Sequence, residues 1–369
     1  MFKIEKLRVE VPGFALKDIN LHIAQGEFFA IMGPTGSGKS LLMETIMGLL
    51  PANVIDFKGS ILWNNKELTR LPPNKRSVGI LYQDVALFPH MTVKQNISYG
   101  LRYHRIDKEE AQKRFNFLIE RLGIAHLLHR YPARISGGER QRVGLARVLV
   151  LNPDVILLDE PLSGLDPLLK KDIRRLLRQL HSELKITFLM VSHNFEEVMY
   201  LAQKGAIIRQ GRIIQQGQIE EIFNRPTSLF AAQFVGAKNV FPAHCQDGFA
   251  HVGSIPVQIA NTGKEASCDH IVIRPERIVP LASGTRAMVG MENVYSGTIV
   301  EMSRCNFHVN VSIERNGVVF QAMWPEHHIH SAGLNVGSKV RFGFSKDDVG
   351  AFNEEKRVVP PSDLSTDAL

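Results

Sequence analysis

No apolar run in the sequence is long enough to cross a bilayer. The longest, such as Val155 to Leu158 before Asp159, fall far short of the roughly 18 to 20 residues that a spanning helix requires. The opening MFKIEKLRVEV alternates charged and apolar residues as a strand does, and it lacks the continuous apolar core of a secretory signal. The chain is therefore expected to stay in the cytoplasm. Cysteine is scarce: Cys245, Cys268 and Cys305 include no C-x-x-C pair and leave an odd count. Neither a disulfide framework nor a zinc knuckle is expected, and reduced thiols are. No clear repeat or low-complexity tract is present. Lys and Arg total 44 against 37 Asp and Glu, and the resulting +7 is read as a diffuse surface property, so no nucleic-acid partner is expected.

What is there has the composition of an ordinary folded chain, 44% hydrophobic and 22% charged, and at roughly 150 residues per domain its 369 residues predict two. Up to about residue 235, apolar strand-like runs alternate with amphipathic helical segments, the pattern of an α/β fold. The runs Phe28 to Met32, Val155 to Leu158 and Thr187 to Val191 each end in a polar or glycine-rich turn. Ligands of α/β sheets bind at such strand ends. A helical insertion is expected at about 91–135, with Lys108 to Leu122 as one amphipathic helix. Beyond Phe234 the texture changes to short alternating runs, and Asn316-Gly317 between two of them signals a hairpin. Residues 236–355 are thus expected to form a small all-β barrel of the oligonucleotide/oligosaccharide-binding type, followed by a frayed tail, 356–369.

Gly33-Pro34-Thr35-Gly36-Ser37-Gly38-Lys39-Ser40 follows the strand Phe28 to Met32 and precedes an apolar helix, Leu41 to Leu49. This is the phosphate-binding loop G-x-x-x-x-G-K-[ST] in its strand-to-helix setting, so the chain is read as an α/β P-loop NTPase. Glycines let backbone N–H groups wrap the phosphates, and the helix N-terminus favours their charge. Lys39 is placed to reach the β- and γ-phosphates and Ser40 to ligate Mg²⁺. A second site ends the strand Val155 to Leu158, where Asp159 and Glu160 stand side by side. Buried adjacent carboxylates are costly without a cation, and Mg²⁺ beside a phosphate loop is that cation. Asp159 then orients the metal and Glu160 acts as general base toward water. Taken alone, the pair has a lesser alternative as helix-capping acids before Pro161.

Ser136-Gly137-Gly138-Glu139-Arg140-Gln141 starts a helix running through Leu149, with Ser136 and Glu139 spaced as a capping box. The two glycines also leave its first N–H groups open to an anion. One phosphate loop and two phosphate-facing helix ends are reconciled by a head-to-tail homodimer, in which Ser136 of one chain closes over the nucleotide held by Lys39 of the other.

The run ISGGERQ resembles the signature motif of ABC ATPases, and the resemblance covers residues 1–235. It implies an ATPase that binds ATP and Mg²⁺ and gives roles to matching positions. Gln83 resembles the Q-loop glutamine that senses Mg²⁺ and contacts the membrane subunit. Ser163-Gly164-Leu165-Asp166 looks like the D-loop, which puts Asp166 among the ATP-binding residues. His193 resembles the switch histidine at the γ-phosphate, and Phe14 is the aromatic available to stack on adenine.

DNA-repair members of the family carry a coiled coil or zinc fingers, and translation factors carry two cassettes, features this sequence lacks. A soluble ATPase acting on nucleic acid or ribosomes remains the alternative. The helical insertion and Leu87-Phe88-Pro89-His90 are similar to importers, whose ATPases work with a membrane permease and, indirectly, an extracytoplasmic binding protein, at the cytoplasmic face of the membrane. Ile273-Arg274-Pro275-Glu276 and Asn293 with Gly297 resemble the TOBE-like accessory domain of such importers. Cassette stretches including Gly123 to Leu128 look most like molybdate/tungstate importers, with sulfate, iron(III) and polyamine relatives as alternatives. Glu292 before Asn293 places a carboxylate where an oxyanion wants a cation. His327, His328 and His330 are read as a solvated loop rather than a metal site.

Overall fold

The computed structural model describes residues 1–50, 54–103, 106–260, 268–281 and 290–353. The tail read at 356–369, with residues 354 and 355 before it, lies outside them. Two compact units emerge, Met1–Asn224 and a second beginning at Arg225.

In the first unit β1 (Phe2–Val11) and β2 (Phe14–Ile23) form a hairpin. Then come β3 (Phe28–Met32), α1 (Lys39–Met47), β4 (Asp56–Trp63), β5 (Lys66–Glu67) and β6 (Val78–Leu81). The insertion carries α2 (Val93–Ser98) and α3 (Lys108–Leu122) with 3₁₀ turns, and α4 (Gly137–Leu149) closes it. The unit ends with β7 (Val155–Asp159), α5 (Pro167–Leu184), β8 (Thr187–Val191), α6 (Phe195–Leu201), β9 (Lys204–Arg209), β10 (Arg212–Gln218) and α7 (Ile219–Asn224).

Two sheets are built from these strands, an antiparallel β2-β1-β4-β5 and a six-stranded β10-β9-β3-β8-β7-β6. In the larger one, β9, β3, β8, β7 and β6 run parallel. Its strands β3 and β8 are buried throughout. A parallel sheet covered on both faces demands such continuous apolar runs, which is why they stand out in the sequence. Alternating residues of β1 and β2 share one core with Leu42, Met43 and Ile46 of α1 and with Ile31, Leu157 and Leu189 of the parallel sheet. Each such side chain contributes about 1.5–3 kcal/mol by leaving water.

Helix α3 shows the expected stripe, burying Ala111, Phe115, Leu118, Ile119 and Leu122. Asp107 caps its start and Gly123, in the left-handed region, its end. The end of α1 is held differently. Buried Arg76 donates to the carbonyls of Thr45, Ile46, Leu71 and Thr69, at 2.7–2.9 Å, so a distant side chain caps this helix.

The second unit is small and all-β apart from α8 (Leu229–Phe234) and a short helix near its end. Its strands are β11 (Asn239–Pro242), β12 (His244–Gln246), β13 (Phe249–Val252), β14 (Ile255–Gln258), β15 (His270–Ile273), β16 (Val279–Leu281), β17 (Asn293–Cys305), β18 (His308–Arg315), β19 (Val318–Pro325), β20 (Lys339–Phe344) and β21 (Val349–Phe352). They form three hydrogen-bonded sheets, β11-β15-β21, β12-β13-β14 and β16-β20-β17-β18-β19. All three feed one core around Trp324, Phe320, Phe342 and Phe344. Asn316 and Gly317 have φ of 50° and 79° and turn β18 into β19, as the Asn-Gly pair predicts.

Two expectations are corrected here. Cys245 and Cys268 form a disulfide, with Cα atoms 5.2 Å apart. The pairing of Ala243 N–H with the Asp269 carbonyl brings their segments side by side, within the range a bridge needs. The odd cysteine count reflects only Cys305, which is exposed. The histidines lie on a short helix, α9 (Glu326–Ser331), rather than in a loop. Among the described residues no cluster of three or more ligating side chains could hold a metal.

Candidate active site at the ends of the parallel strands

The strands β3, β7 and β8 end together: Ile31 pairs with Val191, and Val191 with Asp159. Their following turns therefore bring the phosphate loop, the carboxylate pair and His193 to one edge, where α/β sheets bind ligands.

The phosphate loop has no room for side chains at two glycines. A Cβ at Gly33 would lie 2.3 Å from the carbonyl oxygen of Ile208. One at Gly38, whose φ is 105°, would lie 2.8 Å from the Phe14 ring. The loop thus rests on Phe14, which places that aromatic beside the site. Lys39 Nζ folds back onto the carbonyls of Gly33 and Pro34, at 2.8 Å each. Burial lowers its pKa, opposed by Glu160 and Asp159. The Ser37 hydroxyl is buried with no hydrogen-bond partner among the described residues, whereas Pro34, Thr35, Gly36 and Ser40 are exposed. A cradle lined by glycine backbone, with one lysine facing two carboxylates, fits a metal-bound polyphosphate.

At the end of β7, burial raises the pKa of Asp159; Glu160 adds to the rise and Lys39 opposes it. A magnesium ion would relieve both charges, with Ser40 and Asp159 as the groups to hold it. Glu160 sits at φ 44°, a left-handed position costing on the order of 1–3 kcal/mol for such a residue. Its N–H donates to the Val191 carbonyl at 3.0 Å. Its Oε1 is hydrogen-bonded to Nδ1 of His193, 2.9 Å away. Sequence reading gave these two side chains separate roles and did not foresee their contact.

Among the described residues no hydrogen bond joins the remaining predicted residues to this cluster, although Gln83 leaves β6 at the same sheet edge, since Leu81 pairs with Leu158. Ser136 caps α4: its hydroxyl accepts the Glu139 N–H at 3.3 Å, and Glu139 Oε2 accepts the Ser136 N–H at 2.7 Å. That second bond is the main reason the Glu139 pKa is lowered. A Cβ at Gly137 would meet open space, whereas one at Gly138 would strike Leu169 at 2.4 Å. Gly138 thus serves close packing of α4 on α5, and Gly137 leaves the helix start accessible. Among the described residues no hydrogen bond joins Ser136, Gly137 or Gly138 to the phosphate loop.

Asp166 Oδ1 caps α5, accepting from Leu168 and Leu169 at 3.2 and 3.0 Å. Gln83 is exposed just beyond β6. Its segment is pinned by residues that the motifs do not mark. Arg147 of α4 donates to the Ala86 carbonyl at 2.8 Å. The buried Asn96 of α2 accepts from Phe88 N–H at 2.8 Å and donates to the carbonyls of Phe88, Met91 and Thr92 at 3.1 Å. Gln141, within the signature run, donates to the Pro161 carbonyl and so ties α4 to the turn after Glu160. Its place in ISGGERQ was the available signal.

A parallel sheet with a phosphate loop, a carboxylate pair at a neighbouring strand end and a helical insertion defines a P-loop ATPase. The family model described as "ABC transporter" matches residues 16–163. The molybdate/tungstate import ATP-binding protein WtpC of Pyrococcus horikoshii is 32% identical over 95% of this chain and 100% of its own. The sulfate/thiosulfate import ATP-binding protein CysA of Xanthomonas campestris is 39% identical over 78% of this chain and 84% of its own. The Fe(3+) ions import ATP-binding protein FbpC of Fusobacterium nucleatum is 38% identical over 72% of this chain and 71% of its own.

Among solved structures, cbiO1 of Clostridium perfringens, part of an ABC transporter complex, has TM-score 0.55 and 35% identity, covering 61% of this chain and 90% of its own. A dimeric ATP-binding cassette with ADP and Pi has TM-score 0.52 and 28% identity, covering 59% of this chain and 99% of its own. The chain belongs to the ABC transporter family, as an importer-type ATP-binding subunit that uses ATP with Mg²⁺. Among the described residues no helix is long and apolar enough to cross a membrane.

Proposed function

We propose that this chain energises import of an inorganic oxyanion, molybdate or tungstate, working as a homodimer under a permease at the cytoplasmic face of the membrane. The likeness to WtpC supports the substrate, because it runs through both units to 95% of the chain. The higher identity of the sulfate relative, 39% over a shorter span, favours sulfate as the second reading.

In the hydrolytic step Lys39 would exchange its two carbonyl partners for the β- and γ-phosphates of ATP, with loop N–H groups wrapping the same oxygens. Ser40 and Asp159 would hold Mg²⁺, with Gln83 sensing it, and the ion would supply positive charge to neutralise the phosphates. Glu160 accepts the proton of the attacking water, while His193 holds that carboxylate and faces the γ-phosphate. Phe14, whose ring lies beside Gly38, would stack on adenine. Ser136, Gly137, Gly138 and Asp166 act on the nucleotide of the partner chain.

The second unit is read as a dimerising or regulatory module. Asn293, 2% exposed, spends its amide within the fold: Oδ1 accepts from Gln258 N–H at 2.7 Å and Nδ2 donates to the Gln258 carbonyl at 2.9 Å. Glu292 is engaged by the Lys346 N–H at 3.1 Å and by its ammonium at 3.2 Å, and that N–H is the main cause of its lowered pKa. The repulsion of a dianion by Glu292 is therefore partly cancelled, but Asn293 has no amide to offer one.

The carrying observation is the meeting of Lys39, Asp159, Glu160 and His193 at one sheet edge. Glu160→Gln should keep ATP binding and lower turnover by about 10²–10⁴-fold, because the amide retains the shape but cannot take a proton. Cells carrying only this variant should lose high-affinity tungstate uptake. A turnover within about threefold of the parent would remove Glu160 as the base, and loss of sulfate uptake instead would move the substrate.

A further inference from the structure

The turn between β8 and α6 is three residues, Ser192, His193 and Asn194, and its two ends are locked within the turn while its central side chain is exposed. Ser192, 2% exposed, donates its hydroxyl to Oε2 of Glu197 at 3.0 Å and accepts the Asn194 N–H at 3.0 Å. Its own N–H donates to the Ile31 carbonyl of β3 at 3.3 Å, two residues before the phosphate loop begins at Gly33. Asn194 Oδ1 accepts the N–H groups of Glu196 and Glu197 at 2.9 and 3.2 Å. His193, by contrast, has a side chain 66% exposed and touches Glu160.

Glu197 is 5% exposed. Burial pushes its pKa up, while the Ser192 hydrogen bond, Lys170, His193 and Arg174 pull it down. Burying a carboxylate is costly, so one that persists needs a task. Starting α6 is not that task, since Asn194 already caps the helix. The Glu197 carboxylate reaches instead back over the turn to the residue that immediately precedes His193.

We propose that Glu197 is a positioning residue for hydrolysis: through the Ser192 hydroxyl it fixes the backbone on both sides of His193 and so aims the imidazole at Glu160. The proposal rests on the reading of Glu160 and His193 as hydrolytic residues. Catalytic groups must be held within about 0.5 Å of productive geometry. An exposed imidazole has no packing to do this, so its backbone must.

The test is steady-state ATPase kinetics on the full-length chain with thermal midpoints measured alongside. Ser192→Ala and Glu197→Leu should each lower kcat about tenfold or more, with KM for ATP within about twofold, because positioning is lost while binding is not. Ser192→Thr and Glu197→Gln keep a hydroxyl and an acceptor oxygen and should retain at least about half the parental kcat. The Ser192→Ala, Glu197→Leu double variant should be no slower than the slower single, since both break one link. Parental kcat in Ser192→Ala, failure of the Thr and Gln variants to restore it, or additive losses would overturn the proposal. His193→Ala separates this from the underlying reading. A parental rate there sinks the role of His193 itself, and a low rate there beside a parental rate in Ser192→Ala sinks only the Glu197 link.

Discussion

Single residues differ widely in what they hold, and Arg76 and Lys113 mark the extremes. Lys113 pairs with Glu109 on the exposed face of α3, both side chains at least 75% exposed, and such pairs stabilise by only about 0.3–0.5 kcal/mol. Arg76 is 5% exposed, and burial lowers its pKa. Its guanidinium closes the end of the helix that begins at the phosphate loop, against Gly48, where a Cβ would lie 2.6 Å from it. Arg76→Ala would take a donor from the buried bonds to the Thr45 and Ile46 carbonyls and from the part-buried ones to Leu71 and Thr69, of which Thr45 keeps the Gly48 N–H. We expect it to cost about 2–4 kcal/mol, read as a thermal midpoint lower by roughly 5–12 °C. A shift below about 2 °C would show that water replaces the guanidinium at little cost. Nothing in Asn74-Lys75-Arg76 distinguishes this arginine from its solvated neighbours in the sequence. Its role depends on where helix and loop meet in space.

Elements were legible where one local pattern decides them. The strands β3, β7 and β8 carry continuous apolar runs, α3 carries a 3.6-residue stripe between Asp107 and Gly123, and each is found within a residue of its expected bounds. The phosphate-loop helix starts earlier, at Lys39 rather than Leu41, because the loop itself winds into the first turn. What connects elements was not legible. Asn96 reads as an unremarkable polar residue of α2, yet its four hydrogen bonds form the frame of Phe88 to Thr92. Likewise Asn239 completes β19 from β11, donating to the Gln321 carbonyl and accepting its N–H. Such bonds join positions with no shared periodicity, as does the Cys245–Cys268 bridge. Asn96→Leu should therefore leave α3 and α4 intact while freeing the amides of residues 88–92. Their hydrogen exchange should accelerate about 30-fold or more, matching a local loss of about 2 kcal/mol. Unchanged protection in that segment would show that Arg147, bonded to Ala86, holds it unaided.

At the scale of the whole molecule, the residues proposed for hydrolysis lie in two places. Lys39, Asp159, Glu160 and His193 converge, while the α4 start stands separately, with Ser136 fixed by its capping box and open space over Gly137. A helix start with accessible N–H groups attracts an anion. A homodimer that sets the α4 start of one chain over the phosphate loop of the other gives both features a use. Mixing tests this directly. Lys39→Ala destroys a chain's own phosphate loop, and Ser136→Arg fills the contribution it makes to its partner; each variant alone should be nearly inactive. In an equal mixture about half the dimers pair unlike chains, and each of these holds one intact site, so about one quarter of the parental rate should return if sites act independently. Were Lys39 and Ser136 to serve the same nucleotide within one chain, no pairing would restore a site and the mixture would stay inactive. Strict coupling between the two sites would suppress the recovery as well, and a second readout separates these cases. ATP should double the solution mass of the Glu160→Gln chain, which binds but does not hydrolyse, and adding Ser136→Arg should abolish that doubling, because the nucleotide itself is the bridge between chains. A Glu160→Gln chain that stays monomeric with ATP bound would place the α4 start outside the hydrolytic site.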